Sequence, residues 1–206
     1  MKLLKRILSL FLLLVPFVSN GQEPYFGTKE GMVLKYTRTE NDGKVKWYHE
    51  MKIHKVTPDS IIYSSQLFNS KNKPYTKNVP KMKAFVDSAG VGINVAESMG
   101  AIFHSILGEN AKVESEGDNS YLPDDMEAGD TLADAFCTVR ALGMKMKISV
   151  TQRRVLRFET LETSVGTFDC VVVRERKVEK GMGRNRRTVA DTWYSRGYGM
   201  IRHDTY

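Results

Sequence analysis

Apolar and polar side chains alternate with a period of two along most of the chain, the spacing of strands with one face in a core and the other in water. Over Lys44–Lys55 the odd positions are Val45, Trp47, His49, Met51 and Ile53, and the even ones are Lys44, Lys46, Tyr48, Glu50, Lys52 and His54. Asn41-Asp42-Gly43 precedes this run. Its Asp-Gly pair tolerates the positive φ of a hairpin turn, which makes Met32–Thr39 the partner strand. Further strands are expected at Ser60–Phe68, Lys81–Asp87 and Val91–Val95, with a polar loop over Asn69–Pro80.

The period changes once. Val95, Met99, Ile102, Phe103, Ile106 and Leu107 fall on one face of a helix over Glu97–Leu107, and Gly108 suits its stop. Asn110–Asp118 is polar and acidic, and Pro123–Gly129 reads as a loop. Period two then returns at Thr138–Ala141, Lys145–Thr160, Thr167–Val178, Thr188–Tyr194 and Met200–Tyr206, with Glu179–Arg186 as a polar turn. The sequence therefore predicts a mainly β protein of eight to ten strands. Its antiparallel sheet is strongly curved or an open β-barrel, with one helix packed in or over the concave face.

Strict alternation carries Trp47, His49, Met51, Ile148, Val150, Gln152 and Arg154 to the concave face, and Trp193 would close one end of it, its ring on the core and its N–H on a partner. These eight are the candidate ligand-binding residues. Arg154 is the odd member, because a buried guanidinium needs a partner. Either it has one, or a β-bulge near Gln152 turns it to solvent.

A chain of 206 residues, 41% hydrophobic, is ample for one domain and too apolar for a mainly disordered chain. Residues 1–21 read as a secretory signal peptide: Lys2, Lys5 and Arg6, an apolar run Ile7–Val18, then Ser19-Asn20-Gly21. Cleavage before Gln22 would leave one domain over 22–206 in the periplasm or outside the cell. That segment holds three of the +7 charges, so the remainder carries +4, weak evidence for a polyanionic partner. The basic run Arg174–Arg187 contains Glu175 and Glu179 and no aromatic ladder, which argues for a solvated hairpin rather than a nucleic-acid site. No stretch after the signal is apolar enough to span a bilayer.

Cys137 and Cys170 would meet an oxidising compartment. A strand between theirs would hold them beyond disulfide reach, so pairing and two buried thiols both stand. No GxSxG elbow, P-loop, Cys-His motif or metal-ligand spacing is present. The expectation is a non-enzyme with no cofactor and no metal. Its partner would be an apolar or amphipathic small molecule such as a lipid, or an envelope protein met by its surface.

Three stretches resemble a known family. AGDTLADA at Ala128–Ala135, GTFDC at Gly166–Cys170 and TWYSRGYGMIRHDTY at Thr192–Tyr206 are similar to motifs of the TapB-like group of exported bacterial proteins. The likeness is good over 128–206 and loose over 27–68. It implies an open β-barrel similar to periplasmic lipoprotein carriers and lipocalin-like barrels, with no enzyme activity and no established ligand.

Overall fold

The computed structural model describes residues 22–76 and 78–206. The expected signal peptide, residues 1–21, lies outside the described residues, so the cleavage expected before Gln22 does too. The chain forms two six-stranded antiparallel sheets. The first is ordered β1 (Val33–Thr39), β2 (Val45–Val56), β3 (Ser60–Asn69), β4 (Lys81–Asp87), β5 (Gly90–Asn94) and β7 (Asn119–Pro123). The second is ordered β12 (Gly199–Thr205), β11 (Arg184–Ser195), β10 (Gly166–Gly181), β9 (Met144–Thr163), β8 (Ala135–Ala141) and β6 (Val113–Gly117). One sheet curls into a half-barrel. At ~3.3 Å per residue the 20-residue β9 would span roughly 65 Å if flat, and twist turns such a length into curvature.

The inner faces meet in one core. Ile53 and Ile61 of the first sheet and Val155, Val171 and Val173 of the second are at most 1% exposed and share one cluster. Burying each stabilises the fold by about 1.5–3 kcal/mol. The chain makes one corner itself, where Asp118 links β6 to β7 and its N–H donates to the Phe136 carbonyl at 2.9 Å. At the opposite side the Tyr36 hydroxyl of β1 donates to the Met200 carbonyl of β12 at 2.6 Å. Arg38 donates to Thr205 Oγ1 there at 2.7 Å.

The helix α1 (Val95–Leu107) is capped by Asn94, whose side chain accepts from the Glu97 N–H at 2.9 Å. It lies at the β6–β7 corner, packing Met99 and Phe103 against Cys137, Val139, Met146 and Ile148.

Three expectations are corrected. Twelve strands occur among the described residues, not eight to ten. β6 stands within the segment Asn110–Asp118 expected to be polar, because it is an exposed sheet edge and needs no apolar face, and β7 follows where no element was expected. The turn expected over Glu179–Arg186 is mostly ladder, reversing only at Met182-Gly183.

Candidate functional site

Trp47, His49 and Met51 lie on the inner face of β2, and Ile148 and Val150 on that of β9. Met51 and Ile148 are buried and the other three half-buried. His49 stacks on Tyr36 at 5.5 Å between ring centroids, and its Nε2 lies 2.7 Å from Ser65 Oγ. Burial lowers the His49 pKa below the usual imidazole value.

Gln152 and Arg154 do not join them. β9 carries two bulges, one beside Gln152 and one at Leu156, and Gln152 sits at φ 56. Each inserts one residue and flips every later side chain to the other face. Gln152 and Arg154 therefore point to solvent, while Arg153 turns inward and is 2% exposed. Trp193 also departs from expectation. Its neighbour Tyr194 packs in the main core, so Trp193 occupies the opposite face, in a cluster with Cys170 and Val172. Its ring N–H donates to Glu159, and the Arg202 guanidinium lies 5.0 Å from its ring.

Arg153 is the residue that alternation missed. Its Nη1 donates to the Ala133 carbonyl at 2.9 Å and its Nη2 to the Tyr121 carbonyl of β7 at 3.1 Å. Its Nε lies 3.7 Å from Glu175 Oε2. One side chain thus ties β9 to the opposite sheet and to the segment entering β8. Burial raises the Glu175 pKa above the usual carboxylate value, against the pull of Arg153 and Lys177. The one sequence signal for this residue is Gln152-Arg153-Arg154, three long polar side chains in a row where alternation allows no such run.

At the far end of the same strands lies a groove of about 1000 Å³. Its aromatic walls are Tyr25, Phe158, Phe168 and Tyr198, and its carboxylates are Asp124, Asp125, Glu127, Glu159 and Asp169. Among the described residues Arg196 is the one cation lining it. Arg196 is engaged: its guanidinium lies 4.2 Å from the Tyr25 ring and donates to the Glu23 carbonyl and to Asp124. Phe168 and Tyr198 meet edge to face at 5.1 Å, and Phe158 is half exposed. The groove joins five stretches distant in sequence, and of these only the Asp124, Asp125 and Glu127 cluster stands out along the chain.

Cys170 lines this groove, and burial pushes its thiol up to about 11. It is a free thiol, as is Cys137. β9 runs between their strands, and the two face Glu159 and Ile148 respectively, eleven residues apart along it. Among the described residues no helix is long and apolar enough to cross a membrane.

Fold and site together define two antiparallel sheets, one curled into a half-barrel, that share a packed core and carry an acidic, aromatic groove at one end. The chain belongs to the DUF3108-like family, whose model matches residues 29–206; this, rather than the TapB-like group, is the family that the comparisons show. A protein described as exported, with a YmcC-like fold, from Bacteroides fragilis is similar with a TM-score of 0.70. The two are 20% identical over 89% of this chain and 92% of that one. A protein described as a lipoprotein, from Parabacteroides distasonis, gives 0.69 at 15% identity over 90% and 92%. At these identities the likeness is one of fold. No curated protein matches the chain.

Proposed function

We propose that the protein is an exported, non-enzymatic binding module of the cell envelope whose ligand is a basic, apolar segment of a partner protein held in the groove. The observation that carries this reading is the groove's lining. Four aromatic rings offer apolar and cation–π surface. Of its five carboxylates, Asp124 is paired with Arg196 and Glu159 with Arg157; among the described residues Asp125, Glu127 and Asp169 have no salt-bridge partner, so the unmatched charge is negative. An extended peptide with Lys or Arg beside large apolar side chains complements both features. The core supports the same reading, because side chains of both sheets and of the helix pack against one another on the concave face where a carried lipid would sit.

Peptides selected from a random display library on the purified protein test this. The expected result is a basic, aromatic or aliphatic consensus whose binding drops at least tenfold in Phe158→Glu, since a central aromatic anchor is worth about 2 kcal/mol or more. Selection yielding nothing dependent on Phe158, together with a lipid released by organic extraction, would favour carriage instead.

A further inference from the structure

The end of the second sheet opposite the groove breaks several local rules at once. Two hairpins lie side by side there, β8–β9 through Leu142-Gly143 and β10–β11 through Met182-Gly183. All four turn residues have positive φ, between 50° and 74°, the type I′ geometry that favours Asn, Asp or Gly. Met182 has a reason to be apolar, since it packs against the helix cluster. Leu142 does not: it is 68% exposed, and Met144 beside it is 50% exposed. Ile106, 61% exposed, joins them. The helix runs along β6 from Val95, bonded to Asp118, past Gly100 beside Ser115. Its last turn thus reaches the Val113 end, where β6 pairs with Ala141 next to Leu142.

Cations surround this apolar tip in an unfavourable register. On the outer face Lys145 stands directly opposite Arg140, and Lys147 directly opposite Lys180. Like charges in that arrangement repel. Arg187 lies diagonal to Lys180. Arg140 has Glu116 at 3.1 Å, but among the described residues Lys145, Lys147, Lys180 and Arg187 have no salt-bridge partner and all are exposed. The nearby carboxylates are on β6, where Glu114 pairs with Lys112 and Glu116 with Arg140, and on the inner face, where Glu179 is buried.

Exposed apolar side chains on a turn, ringed by unpaired cations, match the two layers of an anionic bilayer surface. The turn suits the acyl boundary and the cations suit the headgroup phosphates. We propose that this end docks peripherally on an anionic phospholipid surface. Leu142 and Met144 enter the interface, and Lys145, Lys147, Lys180 and Arg187 sit over the headgroups. A soluble polyanion would use the cations and leave the apolar tip without a role. The surface shares no residue with the groove, so the two proposals stand or fall separately. β10 spans 16 residues, so at ~3.3 Å each the groove would stand at most roughly 50 Å from the bilayer, less by the curvature of the strand, and open to a partner.

Co-sedimentation of the purified protein with phosphatidylglycerol–phosphatidylethanolamine vesicles, against phosphatidylcholine vesicles, tests the proposal. Binding is expected on the anionic vesicles only and should weaken with salt. Lys147→Gln with Lys180→Gln should reduce it about 25-fold, at about fivefold per cation. Leu142→Asn should reduce it about tenfold while leaving the melting temperature unchanged or higher, because Asn suits the turn. All three substitutions relieve local conflicts, so the variants fold. Equal binding to both vesicles, or to neither, would overturn the proposal. So would anionic binding that is indifferent to Leu142→Asn and competed by a soluble polyanion such as heparin, which would assign the patch to an acidic polymer.

Discussion

Replacing Arg153 with Met is expected to lower folding stability by about 3 kcal/mol, because it leaves the half-buried Glu175 carboxylate without its nearest cation. Chemical denaturation measures the loss. Arg153→Met with Glu175→Leu should recover most of it, since a hydrophobic replacement of a buried ion pair is often neutral. The double variant should still fall about 1–2 kcal/mol short, because the Ala133 and Tyr121 carbonyls lose their donors. The loss should also depend on pH. A carboxyl whose folded pKa is raised, as that of Glu175 is, holds its proton more tightly when folded. Its contribution is intact below the unfolded value of about 4.5 and is lost as pH climbs through the folded value. Removing Arg153 raises that value further. The deficit of Arg153→Met should therefore be smaller in acid and grow toward neutral pH; a deficit that grew on acidification would contradict the assignment.

Gly181→Ala should cost about 3 kcal/mol or more. Gly181 has φ 103, and a Cβ there would overlap the Lys145 carbonyl oxygen, which is fixed backbone of the neighbouring strand. Strain in that region alone costs about 1–3 kcal/mol, and the overlap must be relieved by moving β9 off β10. Gly183→Ala is the control. Its φ of 74 carries a similar penalty, but open space surrounds a Cβ there, so the loss should stay near ~1 kcal/mol. Equal losses would mean that the close approach of the two strands is absent.

These two residues mark where the sequence could and could not be read. The alternation over Val45–Ile53 of β2, the helix period from Val95 to Leu107 and the alternation over Thr167–Val178 of β10 are legible because each repeats one rule without interruption. Arg153 was not, because alternation carries phase along a strand only until a bulge resets it, and β9 resets twice. β6 was not, because an edge strand exposed on both faces has no apolar period. The Met182-Gly183 turn hid inside a charged run, since the first turn position lacks the usual Asn or Asp. Trp47, His49, Met51, Ile148 and Val150 share the inner faces of β2 and β9; alternation says which way a side chain points, and nothing about what it binds. The groove was hidden because it is assembled by tertiary contact among residues 22–25, 124–127, 158–160, 167–171 and 195–198.

The most direct measurement is a titration with an apolar fluorescent dye, read in two variants shown by circular dichroism to be folded. Phe158→Glu places a charge in the groove wall, and Val150→Trp fills the inner face of β9. A protein that binds at its end groove and is filled inside should lose dye enhancement in Phe158→Glu and keep it in Val150→Trp. Loss in Val150→Trp with full enhancement in Phe158→Glu would put the ligand between the sheets and contradict the account.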